Sequence, residues 1–371
     1  MPVVKDLIYW IWFMRLEKIS LKQKNILLEQ FLSPEVIFSL SAETLAKTKI
    51  IDQKTANYFS QVKSLDKAQQ DLSYLEKHHI QLIPRCDPDF PESLANLYLP
   101  PLGLYAKGDL SLLRAPLSIA IIGSRNPTVA GEKYAKMFSQ SLSSVGVTIV
   151  SGLADGIDGK CHWASVNELG RTIGVLGTGI DICYPRINQK LFELMAEQAL
   201  IISEFNLGEK PLPYHFPQRN RIISGLSQGV LVIEARKKSG SLITVNHALE
   251  QGKNIYVIPG DIGGANWAGG NQLLKEGAKL VTDPRDILED YIILDQTKTE
   301  NPESQGQKGS VALEMATPEQ QLLFDLIKKG YRTIDELVAY SDLPINRVNS
   351  LLTMMEIEEI IIITYGNIVL I

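Results

Sequence analysis

The chain has 371 residues, 45% of them hydrophobic and 21% charged, with a formal net charge of −5. That length suggests two or three domains, and that hydrophobic fraction excludes a globally disordered chain. The negative balance excludes a protein held to DNA by bulk positive charge but not a local basic groove.

Residues 1–75 read as helical, with almost no strand signal. The apolar run LIYWIWFM at 7–14 is too short to span a bilayer and has neither a preceding basic region nor a cleavage site, so it reads as the buried face of a first helix. Two pieces, LEKISLKQKNILLEQF and LAKTKIIDQKTANYFSQV, each resemble a turn followed by an amphipathic helix, and Ser33-Pro34 starts another between them. Repeated short units of this kind suggest a bundle of the SAM or helix-hairpin-helix type. Its turns lack the Gly that would let backbone N–H groups reach a phosphate, so a packing or protein-contact module is the preferred reading. Residues 76–116 are punctuated by Pro and rich in Leu and Tyr, which predicts an ordered connecting segment with one short helix.

From 117 to 290 short β-branched runs ending in Gly or a polar residue alternate with helical stretches. The runs are SIAIIGS (118–124), VTIVSG (147–152), RTIGVLG (171–177), ALIISEF (199–205), GVLVIEA (229–235), NIYVIPG (254–260) and AKLVT (278–282). Seven such strands predict an α/β domain with a doubly wound, mostly parallel sheet covered on both faces, and a site at the strands' carboxyl ends. Residues 291–316 are polar and read as a linker. From 317 to 371, TPEQQLLFDLIKKG, TIDELVAYS and LPINRVNSLLTMMEIEE read as three helices and IIIIT-YGN-IVLI as a hairpin, which together spell a winged helix.

The strand ends carry the candidate chemistry. Gly123 permits close backbone approach, Ser124 offers a hydroxyl and Arg125 a planar donor fork suited to phosphate. ADGIDGKC at 154–161 fails as a Walker motif at both ends, because Ala154 replaces the first Gly and Cys161 the Ser or Thr that would bind magnesium. Ser151 and Gly152 precede a helix start that can present N–H groups to an anion. Asp155 and Asp158 could act as carboxylate catalysts, but helix capping is preferred for both. His162, one turn past Asp158, is read as holding a structural hydrogen bond. HFPQRNRIISG (215–225) places Arg219, Asn220 and Arg221 at a helix start, where cations oppose the dipole and an anionic ligand would relieve the conflict; a surface salt bridge is the competing reading. Arg236, Lys237 and Lys238 then lead into SGSLIT (239–244), whose Gly240, Ser241 and Thr244 form another polar opening. No nucleophilic triad, metal cluster or nucleotide fingerprint is evident. The residues therefore predict a domain that binds a phosphate-bearing ligand, with no catalytic residue, metal or cofactor assigned. Three cysteines, at 86, 161 and 183, without a CxxC pair fit a reducing cytoplasm.

GSR (123–125), SGLADGID (151–158), TIGVLGTGID with YP (172–181, 184–185), SEF (203–205), FPQRNRIISGLS (216–227), EA (234–235), SGSLIT (239–244), IPG (258–260) and GGNQLLKEGAKLV (269–281) resemble, in order, the motifs of the DprA/Smf family of DNA-processing proteins. DPDFPESL and PPLGLYAKG resemble the segment that leads into that fold. The resemblance implies an extended Rossmann-like fold without enzymatic activity, a soluble cytoplasmic protein with no membrane partner, binding and protection of single-stranded DNA in natural transformation, loading of the RecA recombinase, and a homodimer through the Rossmann domain. It also implies that Gly123, Ser124, Arg125, Ser151, Gly152, Phe216, Arg219, Asn220, Arg221, Ser239, Gly240, Ser241 and Thr244 line the DNA-facing pocket, with Phe216 stacking on a base. The segment GKCHWASV departs from the family pattern in small packing positions. From Leu313 onward acidic residues outnumber basic ones nine to four, so the winged helix reads as a protein-contact module rather than a DNA reader. A nucleotide-processing enzyme of the phosphoribohydrolase-like Rossmann type is the alternative, but the GTxxE part of its PGGxGTxxE signature is missing from IPGDIGGANWAGG.

Overall fold

The computed structural model describes residues 4–297 and, beyond them, 318–329, 331, 333–341, 343–357, 361–364 and 367–370. The chain forms two compact units, residues 1–299 and 300–371. The first begins with six helices, α1 (Val4–Met14), α2 (Leu21–Phe31), α3 (Pro34–Ser39), α4 (Ala42–Lys47), α5 (Gln53–Gln61) and α6 (Asp66–Lys77). Their starts follow from local chemistry. Ser20 and Gln23 form a capping box on α2, Ser33 caps α3 with Pro34 behind it, and Asp52 caps α5. Trp10, Ile11, Trp12, Phe13 and Met14 are all buried, so α1 is enclosed by the other helices rather than one-sided. At roughly 1.5–3 kcal/mol for each large apolar side chain, this run anchors the whole N-terminal part.

A nine-stranded sheet follows, in the order β1-β2-β6-β5-β4-β3-β7-β8-β9. Its strands are β1 (Gln81–Pro84), β2 (Gly103–Gly108), β3 (Ser118–Ile122), β4 (Thr148–Ser151), β5 (Thr172–Val175), β6 (Leu200–Ser203), β7 (Gly229–Val232), β8 (Asn254–Val257) and β9 (Lys279–Leu280). The seven expected strands are β3 to β9, all parallel. The connecting segment differs from expectation. It holds the short helix α7 (Glu92–Ala95), but also β1 and β2, an antiparallel pair that extends the sheet beyond β6. These strands are short and lie among prolines, so no period-2 apolar pattern marks them.

Helices α8 (Val129–Ser144), α9 (Ile157–Glu168), α10 (Gln189–Gln198), α11 (His215–Gly225), α12 (Ser241–Glu250), α13 (Ala268–Lys275) and α14 (Arg285–Thr297) connect the parallel strands or follow the last. Alternation along each strand feeds two cores. From β3, Ile119 and Ile121 join one face with Phe138 and Leu142 of α8, and Ala120 and Ile122 join the other with Ile222 and Ile223 of α11. A further core joins α1, α2 and α5 to Ile201 of β6 and to Leu191 and Met195 of α10, so the N-terminal helices pack on the sheet domain itself. The segment expected as a linker from 291 begins as the last turns of α14; its remainder, 298–316, lies outside the described residues.

The second unit contains α15 (Pro318–Lys328), α16 (Ile334–Ser341), α17 (Ile345–Ile357) and the hairpin β10 (Ile361–Thr364) with β11 (Asn367–Leu370). Leu323, Leu337, Leu351 and Met355 from the helices close a core with Ile361 and Ile368 from the hairpin. This is the expected winged-helix arrangement.

Candidate functional site

The winding of the sheet reverses at β3, which has β4 on one side and β7 on the other, both parallel to it. Loops leaving the carboxyl ends of such strands diverge and leave a crevice. A cleft of about 570 Å³ occupies it. Its walls are the loop after β3, the turn after β4, the first turns of α11 and the loop from β7 into α12.

Ten of the thirteen expected residues line this cleft: Gly123, Ser124, Arg125, Phe216, Arg219, Asn220, Ser239, Gly240, Ser241 and Thr244. Arg125 is exposed, and its guanidinium lies over the Phe216 ring, 5.6 Å from the centroid. Phe216 in turn sits 5.5 Å from the ring of Tyr184 at 40°. Two aromatic faces and a cation therefore meet at one wall. On the other wall Arg236 and Lys238 are exposed, with the Ser239 and Ser241 hydroxyls 2.6 Å apart between them and α12. Gly240 is open, with no atom within 4 Å of where a Cβ would stand, so its backbone is accessible. Ser124, Asn220 and Thr244 are buried, and the Ser124 hydroxyl accepts from the Asn126 N–H at 3.1 Å.

Ser151, Gly152 and Arg221 are not among the lining residues. The Ser151 hydroxyl is buried and donates to the Ile121 carbonyl at 2.7 Å, tying β4 to β3. Gly152 leaves room for Arg219, because a Cβ there would come 2.5 Å from the guanidinium Nη2. Gly123 lines the cleft, but a Cβ there would meet Ile157 at 2.6 Å, so glycine at this position lets α9 pack on β3 rather than admitting a ligand.

The two arginines of α11 require a correction to the expectation that a ligand must neutralise them. Positions 219 and 221 are about 200° apart around a helix, so they face different surroundings. Arg219 is 4% exposed and donates to the Gly152 carbonyl at 2.8 Å and to the Val175 carbonyl. Burial lowers its pKa to about 10, the nearby Asp158 charge opposes that fall, and Arg125 adds to it. Arg221 forms a buried ion pair with Glu204 at 2.5 Å. Protein groups thus answer the conflict with the helix dipole, and among the described residues the exposed cations of the cleft are Arg125, Lys238 and Arg236, whose Nε donates to the Asn266 Oδ1 at 2.8 Å.

The carboxylates also depart from the capping expectation. Helix α9 starts behind Gly156 without a side-chain capping bond. Asp155 is exposed and accepts from the Gly156 N–H at 2.8 Å. Asp158 lines the cleft and accepts from the Gly152 N–H at 3.1 Å; burial raises its pKa, against the pull of Arg219. His162 is buried away from it, with Nδ1 2.7 Å from the Thr172 hydroxyl, which is the structural bond expected. Burial, reinforced by the Arg219 charge, pushes its pKa down to about 3, so the imidazole is neutral. Among the described residues no three His, Cys, Asp or Glu side chains form a group that could hold a metal ion, and no helix is long and apolar enough to cross a membrane.

Tyr184 lines the cleft, and reading the residues for chemistry overlooks it. Its signal is the YP pair after β5, whose tyrosine is 42% exposed despite its size. Arg236 and Lys238 stand out in sequence only as basic neighbours of SGSLIT; the fold turns both into the cleft.

Family models, curated relatives and solved structures include DNA-processing proteins. The model of the family described as DNA recombination-mediator protein A matches residues 81–292, and that of the DprA winged helix domain matches 308–362. The DNA processing protein DprA of Bacillus subtilis is 42% identical over 219 residues, covering 59% of this chain and 74% of that protein. The X-ray structure of DNA processing protein A from Streptococcus pneumoniae is similar with a TM-score of 0.66 and 36% identity, covering 76% of this chain and 97% of that one. A Helicobacter pylori DNA processing protein A structure, described for its single-stranded DNA binding mode, is similar with a TM-score of 0.53 and 30% identity, covering 58% and 96%.

Proposed function

The chain belongs to the DNA recombination-mediator protein A family, and from that premise we propose that it binds single-stranded DNA in the cleft at β3 and β7, without catalysing a reaction on it, and loads RecA onto the bound strand during transformation. The observation that carries the reading is the stack of Arg125, Phe216 and Tyr184 facing a wall with Arg236 and Lys238. An aromatic face is useful to a nucleic acid only where bases are unpaired, and exposed cations take the flanking phosphates. The accessible backbone of Gly240 and the hydroxyls of Ser239 and Ser241 add neutral donors for a phosphate oxygen. Arg219, almost wholly buried in the lining, contributes a fixed positive charge. Ser151, Gly152 and Arg221 hold the site's shape in this reading. We further assign the protein to the cytoplasm, as a homodimer through its Rossmann domain.

Fluorescence anisotropy with labelled single-stranded and duplex oligonucleotides of one sequence, at two salt concentrations, tests the proposal. Single strands should bind more tightly, with an affinity that falls as salt rises. Equal affinity for the two forms, or binding indifferent to salt, would reject it. Recovery of RecA-dependent ATP hydrolysis on a strand already coated by this protein tests the loading step.

A further inference from the structure

A second cleft, of about 600 Å³, lies between the N-terminal helices and the loop that follows β6. Its architecture is held by contacts across the two parts. Arg15 pairs with Asp71 and donates to the Leu207 carbonyl at 2.9 Å, and Asn206 donates to the Met14 carbonyl at 3.4 Å. Its polar lining is mixed, with Glu17, Ser20 and Lys210 exposed and a few groups deeply placed. Lys24 is 7% exposed, and its Nζ donates to the Met14 carbonyl at 2.7 Å. Glu204 gives one carboxylate oxygen to Arg221, while Oε1 has no hydrogen-bond partner. His215 is 5% exposed and stacks on Phe205 with centroids 4.1 Å apart, and the exposed Tyr214 stands edge-on to it at 4.7 Å.

The two clefts share a lip. Pro213 and Phe216 line the first, and Leu212, Tyr214 and His215 line the second. A strand leaving the Phe216 stack over the start of α11 meets the second cleft next. Charge decides which part of a nucleotide would enter. Arg15, Lys24 and Lys210 share the lining with Glu17, Glu204 and Glu209, so its formal charges balance and a phosphate gains little there. A base is uncharged, presents both donors and acceptors at its edge, and has a face for an aromatic wall.

We propose that this cleft is a second subsite of the same binding surface, taking one unstacked base of a bound single strand, with Tyr214 and His215 as its aromatic wall and Lys24 and the free oxygen of Glu204 as the groups that meet the base edge. It rests on the strand-binding reading above and gives the N-terminal helices a part in it. Burial lowers the Lys24 pKa to about 8, which still leaves the amine largely protonated at neutral pH and able to donate.

The test uses the full chain and labelled oligothymidylates of about 4 and about 10 nucleotides, both within the roughly 4–16 nucleotides that single-strand-binding OB folds cover. Tyr214→Ala alters an exposed ring, and Lys24→Met keeps the buried stem while removing the amine. Both should weaken the longer strand by about fivefold or more, the loss of one base contact, and leave the shorter strand, which the first cleft accommodates, unchanged. Unchanged affinity for both lengths in the Tyr214→Ala protein would overturn the subsite. Equal weakening of both lengths would also overturn it, by placing Tyr214 in the first cleft. If the unaltered chain binds neither length, the strand-binding reading fails as well, which separates that failure from the subsite's own.

Discussion

Replacing Arg125 and Arg219 with alanine, one at a time, should produce two different failures although both line the same cleft. Arg125 is exposed and its guanidinium lies over the Phe216 ring, 5.6 Å from the centroid, so its loss should leave the folded chain intact. On the proposed reading, what disappears is one charge-assisted phosphate contact, worth about 1.5–3 kcal/mol, or roughly 10- to 150-fold in affinity. The log–log slope of affinity against salt should flatten by about 0.7. Arg219 is 4% exposed and binds the carbonyls of Gly152 and Val175 beside Asp158. Its removal takes a positive charge from beside Asp158 and strands two carbonyls, and should cost about 2–6 kcal/mol of stability at about 1–3 for each unsatisfied buried group. For a unit of this size that is a fall in Tm on the order of 5–15 °C. Anisotropy titrations at four salt concentrations, with thermal melts of the same samples, measure both effects. An Arg219→Ala protein that melts with the unaltered one, or an Arg125→Ala protein that binds with unchanged affinity and slope, would refute the division between a buried scaffold charge and an exposed ligand charge.

Phe216→Ala should lower single-strand affinity by about 1–3 kcal/mol, as loss of one stacked base does, with the salt slope unchanged because no cation is removed; Tyr184→Ala should follow in the same direction. A changed slope in either protein would show that the rings only support the basic groups. The His162 pKa, lowered to about 3 in the folded chain from an ordinary 6.5, means that the unfolded chain binds the additional proton between those values. Stability is therefore fully present above pH 6.5 and declines as the pH falls toward 3, by up to about 1.4 kcal/mol per pH unit. His162→Asn keeps a polar atom near the Thr172 hydroxyl and should flatten the acid limb of a denaturation-against-pH series by about one proton; an unaltered limb would exclude His162 as its source. A chain ending at Thr299, the close of the first compact unit, should keep most of its single-strand affinity, because the acidic second unit adds few cations for phosphates and Arg347 there is already paired with Glu319 at 2.5 Å. A tenfold or greater loss with a folded first unit would make the second unit a DNA-binding module.

Local pattern carried much of this protein. β-branched runs between polar breaks marked the seven parallel strands, because strands buried on both faces are continuously apolar. Ser33-Pro34 marked a helix start, because the orphan N–H groups of a first turn must find an acceptor nearby in sequence; the caps at Ser20 and Asp52 follow the same rule but emerged only in the structure. The position of the cleft was also legible, since Gly, Ser and basic residues gathered where strands end and a doubly wound sheet opens at its switch point. β1 and β2 were not, because their pairing with β6 joins segments far apart along the chain and their few residues alternate weakly. Nor could the sequence say which arginine met solvent. Arg125, Arg219 and Arg221 are equivalent as letters in polar, Gly-rich contexts. Their roles diverge because the fold brings the Gly152 and Val175 carbonyls and Asp158 to the second and Glu204 to the third, and leaves the first over an aromatic ring at the mouth. Backbone propensity acts within a few residues, whereas the compensation of a buried charge is decided by whatever distant groups packing delivers to it.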